Sequence, residues 1–558
     1  MSNPTPPSRS TRPSTRAALA VLALAAALAL SGCSGAADSM PPGDTSSAGS
    51  SSAAPTPTWA AVKGPPRTIP AVSTFQAADG RGWRPSKGAR VVVPAGEKSN
   101  VADEARRLAK DLGGLPVVWG DQDVRPGDVE VKLTGKSGAD RPDNAAVSNT
   151  ADEAYTLTAD GTRLTLTAPT DAGIFNGTRT VKQALRTGGG LPEGTIKDRP
   201  DRPQRGMSLD NARKPFSADW IESRIREIAD LKLNQFQLHF TDDQGWRIES
   251  DTHPEIVSED HLTKAQVRSI VQLARSLHIS VIPEIDSPGH LGAVLDHYPD
   301  LELRNAQGET VNGAIDISKP QAGKLVDELL REYAGLFTNP KGSDAYWHLG
   351  GDEYQALMSR SPETSYPQLA QAAREKYGSG GTIEDLATGW LNDRQKVVRK
   401  AGKNKIEAWN DGFFFDGAVQ PDKDRTVDYW TGKEMGKRDP AEFLRKGRTV
   451  MNFNDEYLYY VLGEPNDFTY PTGERIYRSW TPAVIRGTSP VSVPASQTGP
   501  DRVPGARFAI WCDLANSQTQ EQVAQGIRMP LRALAEKTWN PGKPAMSWPD
   551  FKALGAKV

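Results

Sequence analysis

Cysteine is nearly absent: Cys33 and Cys512 are the only two in 558 residues. Two cysteines allow one disulfide at most, and none if Cys33 is otherwise modified, in which case stability must come from core burial. Charge of one sign is also missing. A formal net charge of -2 offers no electrostatic case for nucleic acid. Histidines number seven, few for a hydrolytic metal barrel, and the first barrel strand proposed below ends in Asp210-Asn211 with no histidine pair. No glycine-rich loop runs into Lys-Ser or Lys-Thr, which removes the usual phosphate cradle. Neither a metal nor a cofactor is expected.

Long apolar runs are lacking too, and the best one sits at the N-terminus. Arg9, Arg12 and Arg16 precede Ala17 to Leu30, a run of 14 residues, followed by Ser31-Gly32-Cys33. A helix needs about 20 apolar residues to span a bilayer, so this run reads as a leader. A small-residue site before cysteine fits cleavage with lipid attachment at Cys33; plain secretion with an incidental cysteine is the alternative. Residues 1–32 would then be a lipoprotein signal peptide, and the protein an enzyme tethered to the outer face of the cell membrane, or secreted. Cys512 would have no partner, and its apolar strand suggests a buried, inert thiol.

Apolar residues make up 37% and charged residues 24%, which suits two or three globular domains. Residues 33–66, rich in Ser, Ala, Gly, Pro and Thr, read as a flexible tether. Residues 67–200 mix short strands with a helix near Val101 to Leu112. A hairpin is clearest there, with Tyr155 to Ala159 and Arg163 to Thr167 alternating around Asp160-Gly161. The expectation is a small α/β domain with an antiparallel sheet.

Beyond the link Arg199-Pro200-Asp201-Arg202-Pro203, residues 201–558 alternate short apolar strands with amphipathic helices. Eight strands are predicted: Gly206 to Leu209, Gln235 to Phe240, Ser280 to Ile285, Tyr346 to Leu349, Ile406 to Trp409, Val427 to Trp430, Val450 to Phe453 and Phe508 to Trp511. Between the third and fourth, Val326, Leu329, Leu330, Tyr333, Leu336 and Phe337 make one helical face, with Ser318 as its N-cap. Eight such units imply a (β/α)8 TIM barrel, whose site lies at the C-terminal strand ends.

Those ends repeat one chemistry. Strand one begins at Arg205 and ends at Asp210; strand two runs into Thr241-Asp242-Asp243-Gln244-Gly245-Trp246-Arg247; strand three runs into Asp286-Ser287-Pro288-Gly289-His290. Strand four gives Trp347-His348-Leu349-Gly350-Gly351-Asp352-Glu353-Tyr354. In a regular strand Asp352 and Glu353 would point to opposite faces, and the glycine pair permits both to reach one substrate. An acidic turn after an edge strand is the other reading of this run alone. Strands five and six end in Trp409 and Trp430, strand seven leads to Asn454-Asp455-Glu456-Tyr457, and strand eight ends in Trp511-Cys512-Asp513. Singly, each has an ordinary alternative: tryptophans as core lids, aspartates as helix caps, His290 as a structural histidine. Together, acids, an arginine and tryptophans around one mouth suit a sugar, since indoles stack on pyranose C–H faces and carboxylates bind hydroxyls. A metal held by Asp286, His290, Asp352 and Glu353 is the weaker reading.

Arg205-Gly206, Asp286-Ser287-Pro288-Gly289-His290, His348-Leu349-Gly350-Gly351-Asp352-Glu353 and Trp511-Cys512-Asp513 resemble family 20 glycoside hydrolases, the β-N-acetylhexosaminidases, over most of the chain from about Thr68. The resemblance implies Glu353 as general acid and base. It implies Asp352 as the group orienting the substrate's own 2-acetamido nucleophile, with Tyr457 donating to the acetamido oxygen. It also implies Trp409, Trp430 and Trp511 as sugar walls, Arg205 and Asp513 as hydroxyl ligands, and Asp286 with His290 as a supporting pair. Where the family often carries Tyr-x-Asp and Trp-x-Glu, this chain has Tyr457-Leu458-Tyr459 and Trp511-Cys512-Asp513. Tyr457-Leu458-Tyr459-Tyr460 is similar, more weakly, to lacto-N-biosidases.

The expected function is a retaining exo-β-N-acetylhexosaminidase acting on terminal GlcNAc or GalNAc of chitin oligosaccharides or glycans. The alternatives are a lacto-N-biosidase and a non-catalytic sugar-binding lipoprotein. The expected partners are the glycan and, through Cys33, the membrane; nucleic acid is not one.

Overall fold

A computed structural model describes residues 59–96, 98–134, 149–337, 345–432 and 438–558. The leader, Cys33 and most of the expected tether lie outside the described residues. Residues 60–558 form one compact unit, and no helix among the described residues is long and apolar enough to cross a membrane.

The smaller, N-terminal part is a seven-stranded sheet. Its hairpin, Tyr155–Asp160 with Arg163–Ala168, pairs antiparallel from Thr156↔Thr167 to Asp160↔Arg163, and Gly161 takes the left-handed φ of 62° that the turn requires. The sheet is mixed and not antiparallel, which corrects the expectation. Val91–Val93 is followed by the helix Lys98–Asp111, and such a crossover returns the chain parallel to where it started. Val91–Val93 therefore pairs parallel with both Val117–Trp119 and Val129–Leu133, and Val129–Leu133 pairs parallel with Arg163–Ala168.

Eight parallel strands close into a barrel: Gln204–Asp210, Gln235–His239, Ser280–Glu284, Tyr346–His348, Lys405–Trp409, Thr426–Tyr429, Val450–Asn452 and Gly505–Trp511, hereafter strands one to eight. Strand eight pairs with strand one over six residues and meets strand seven at Asn452↔Ala506, which completes the ring. A short extra strand, Tyr459–Val461, continues the chain after strand seven and pairs parallel with the upper half of strand eight.

Long amphipathic helices such as Ala218–Asp230, Lys264–Ser276, Pro320–Leu336 and Ile383–Lys400 bury apolar stripes against the strands. Pro320 occupies the first turn of its helix, so the cap position falls on Lys319; Ser318 instead bonds Asp316. Strands five and six are joined without an α-helix, through the 3-10 turn Asn410–Gly412 and a loop. This shortcut bears on the chemistry below.

Candidate active site

Strand four delivers the two central acids. Gly350 and Gly351 follow it with φ of 67° and 95°. A Cβ at Gly350 would lie 1.8 Å from Asp286 Oδ1, so only glycine lets strand three's Asp286 fit beneath this turn. Asp286 Oδ1 accepts the Gly351 N–H at 2.8 Å. Asp352 and Glu353 then both line one cavity of about 220 Å³, together with His290, Arg213, Trp430 and Trp511. Asp352 is the more recessed, with 14% of its side chain exposed against 34% for Glu353.

His290 faces both acids: its Nε2 lies 3.7 Å from Asp352 Oδ2 and 3.6 Å from Glu353 Oε2, while its Nδ1 lies 3.2 Å from Asp242 Oδ1. Burial opposes its charge, but the Asp242 and Asp352 carboxylates outweigh this and raise its pKa well above the usual histidine value. Asp286 moves upward as well, through burial and then through repulsion by Asp352. The neutral carboxyl of Asp286 can therefore donate to Asp352, while an imidazolium stands beside the acids.

The tryptophans divide by depth. Trp430 lines the cavity, stacked on Tyr459 at 5.8 Å with 6° between the rings, and Phe468 stacks on the other side of Tyr459. Trp511 forms another wall beneath the Arg213 guanidinium, 5.6 Å from its ring. Trp409 is buried behind them, its Nε1 donating to Glu284 at 2.8 Å. Asp513 reaches the cavity rim.

Three residues named from the sequence as touching the sugar do not line the cavity: Trp409, which lies behind its walls where the resemblance implies a sugar wall, Arg205 and Tyr457. Arg205 lies at the start of strand one, and five residues at about 3.3 Å each put it roughly 17 Å below the mouth. There it is buried and makes a two-point ion pair with Glu153 of the N-terminal part, at 2.6 and 2.8 Å. The arginine of the mouth is Arg213, held by Asp210 at 3.0 Å and Asp242 at 2.7 Å. Tyr457 packs in the core under the Arg475 guanidinium, whereas Tyr459 and Val461 line the cavity. The reason is the short strand Tyr459–Val461: alternation sends Tyr459 and Val461 to the mouth and Tyr460 to the core. Burial, and then the Asp352 charge, push the Tyr459 hydroxyl upward, so it remains a donor. Neither the strand-end pattern nor the resemblance assigns a role to Arg213, Tyr459, Asp242 or Asp411. For Arg213, the signal was its place just after strand one, three residues past Asp210.

Beneath the mouth the barrel interior is ionic. His239 bonds Asp242 at 2.9 Å and lies 3.3 Å from Glu284; Glu284 lies 3.2 Å from His348; His348 lies 3.5 Å from Asp428. Arg507 closes the lower end with two contacts of 2.8 Å to Glu407 and one of 3.0 Å to Asp428. Burial opposes charge on His239 and His348, yet Glu284, Asp242 and Asp428 raise both to about 10. Two candidate metal clusters, Asp242-Asp243-His290 and Asp286-His290-Asp352, share His290. A histidine that prefers its proton is a poor ligand, so the donor chemistry disfavours a metal here.

Known families and proteins match the chain over most of its length. The catalytic domain of glycosyl hydrolase family 20 matches residues 203–542, and domain 2 of that family matches residues 65–199. A lacto-N-biosidase of Bifidobacterium bifidum is 31% identical over 88% of this chain, which spans 41% of that protein's length. A β-N-acetylhexosaminidase of Cellulomonas fimi is 32% identical over 73% of the chain and 78% of its own. Among solved structures, a chitobiase of Flavobacterium johnsoniae superposes with a TM-score of 0.68 at 23% identity, over 88% of this chain and 72% of its own. A family 20 enzyme of Streptomyces coelicolor gives 0.65 at 24%, over 88% and 94%. These two likenesses concern the fold.

Proposed function

Because the chain belongs to glycosyl hydrolase family 20, we propose that it is a retaining exo-β-N-acetylhexosaminidase removing terminal β-linked GlcNAc or GalNAc by substrate-assisted catalysis. The observation that carries this reading is the pairing of recessed Asp352, backed by Asp286 and His290, with the more accessible Glu353 in one aromatic-walled cavity. A cavity of about 220 Å³ suits one N-acetylhexosamine better than a disaccharide.

In this mechanism Glu353 protonates the glycosidic oxygen as the C1–O bond breaks, and the acetamido oxygen of the same sugar attacks C1. Asp352 takes the N–H of that acetamide and stabilises the positive charge that develops on the ring formed. Tyr459 donates to the acetamido oxygen, the role the sequence assigned to Tyr457. Glu353, now a carboxylate, removes a proton from water as it opens the intermediate at C1. Two inversions restore the β configuration. Arg213 and Asp513 bind hydroxyls at the closed end of the pocket.

A second reading, release of a disaccharide, draws on the 31% identical lacto-N-biosidase and on an apolar rim. Val461 and Phe468 line the cavity, and Leu514, 53% exposed, packs against Gly463 beside them. Comparing kcat/KM on aryl β-GlcNAc, aryl β-GalNAc and aryl lacto-N-bioside decides between the two. The monosaccharide substrates should lead, and a preference for the lacto-N-bioside would replace the first reading by the second. A thiazoline analogue of the intermediate should inhibit competitively; full activity on a 2-hydroxy glucoside would refute substrate assistance.

We also propose that Cys33 carries a lipid and tethers the enzyme outside the cell membrane, supported by the leader and the Ser-, Ala- and Pro-rich segment behind it. Cys33→Ser should release active enzyme into the medium. Unchanged membrane retention would contradict the tether.

A further inference from the structure

Asp411 stands outside every role given so far, yet it touches both halves of the site. It follows strand five directly, in the turn Asn410–Gly412 that replaces a helix. Asn410 clamps this turn to strand six: its Nδ2 donates to the Thr431 carbonyl at 2.9 Å and its Oδ1 accepts the Trp430 N–H at 2.9 Å. On its other side the turn presses on strand four's loop so closely that a Cβ at Gly412 would lie 2.8 Å from the Gly351 carbonyl oxygen. Asp411 is thereby driven between the acids and the tryptophan wall, with 3% of its surface exposed. Its Oδ2 accepts the backbone N–H of Glu353 at 2.8 Å, and its Oδ1 accepts the indole N–H of Trp430 at 3.1 Å.

The first of these bonds falls on an unusual backbone. Glu353 has φ of 46°, a left-handed conformation that a non-glycine residue holds only where its surroundings enforce it. Asp411 supplies an anchor for it. We propose that Asp411 is a positioning residue for the reaction, fixing the Glu353 backbone and the Trp430 indole with one carboxyl group, so that leaving-group protonation and sugar stacking share one geometry. This rests on the reading of Glu353 as the general acid.

The charge state of Asp411 belongs to the same device. The groups that face it are Asp352 and Glu353 from the strand-four loop, Trp430 from strand six and Tyr459 from the short strand beside strand eight. Burial, followed by repulsion from Asp352, raises its pKa to about 8. It is neutral below that value, and its ionisation adds a negative charge beside Asp352. That charge loads the site with repulsion, so activity declines as pH passes 8.

Asp411→Asn and Asp411→Ala, each checked for folding by its melting temperature, test this on substrates with poor and good leaving groups. Asp411→Ala should lower kcat at least about tenfold on the poor leaving group and less on the activated one, because displacing the acid costs part of its contribution. Its KM should rise as Trp430 is freed. Asp411→Asn, which keeps one acceptor and cannot ionise, should recover most of kcat and move the alkaline limb of the pH profile above 8. On a Glu353→Gln background Asp411→Ala should add no further leaving-group dependence. Wild-type kcat and KM in Asp411→Ala would overturn the proposal. So would an alkaline limb in Asp411→Asn that stays where the wild type has it, which decides the matter even if the alanine variant fails to fold. A Glu353→Gln loss concentrated on poor leaving groups, together with an inert Asp411, would sink this inference while sparing the acid assignment.

Discussion

Two arginines, eight residues apart, have opposite duties, and a pair of alanine substitutions separates them. Arg213 stands over Trp511 at the cavity, anchored by Asp210 and Asp242, with its guanidinium available to sugar hydroxyls. A charged hydrogen bond contributes about 1.5–3 kcal/mol, so Arg213→Ala should lower kcat/KM by about ten- to a hundredfold. Its melting temperature should fall as well, because buried Asp210 and Asp242 lose their partner. Arg205→Ala should lower stability alone and leave kcat/KM near wild type, because it strands Glu153 in the interior at the far end of strand one. If Arg205→Ala weakens substrate binding with stability intact, the assignment is inverted. The acid has a residue-scale test too. Glu353→Gln should lose far more activity on poor leaving groups than on activated aryl glycosides, which need little protonation. Equal losses would argue against that role.

The elements were legible where burial is simple. Strands of a parallel barrel lie under helices on one face and meet each other on the other, so they read as short apolar runs between turn residues, and all eight stand where predicted to within three residues at either end. Legibility failed where geometry depends on direction or on long-range partners. The resemblance implies Arg205 as a hydroxyl ligand, yet it stands at the start of strand one, away from the C-terminal ends that form the mouth, and its partner Glu153 comes from the N-terminal part. Tyr457 follows strand seven in sequence, but the break after Asn452 hides the strand Tyr459–Val461, whose alternation brings Tyr459 to the cavity. The ionic interior was invisible, since His239, Glu284, His348, Asp428 and Arg507 come from five strands and pair only after closure. This interior has a thermodynamic signature. Their carboxylate partners raise His239 and His348 to about 10 in the folded protein, against about 6.5 for a free imidazole, so the folded state holds more protons than the unfolded one between those values. Their stabilisation is complete below about pH 6.5 and is lost as pH rises toward 10. Urea midpoints should therefore fall steadily over that window, and a flat profile would mean that both imidazoles are neutral when folded.

On the scale of the whole molecule, the N-terminal part and the barrel are joined by buried charge as well as by apolar contact. Arg205 grips Glu153 and lies 5.2 Å from the Trp539 ring; Lys232, fully buried, reaches the Tyr155 hydroxyl at 2.8 Å and Asp198 at 3.3 Å. The link itself is pinned, with the Asp201 and Arg202 N–H groups donating to the carbonyls of Trp539 and Thr538 at the end of the last long helix. The two parts should therefore unfold in one transition. Removing one partner of a buried ion pair costs about 3–5 kcal/mol, while replacing both by apolar residues of similar size is often neutral. Glu153→Leu alone should lower the melting temperature sharply, and Glu153→Leu with Arg205→Met should recover much of it. Activity per folded molecule should stay near wild type in both variants, because the pair lies at the far end of strand one from the cavity. Two separate transitions in the wild type, or a double variant no more stable than the single one, would show that the parts are held by their apolar surfaces and that this ion pair is incidental.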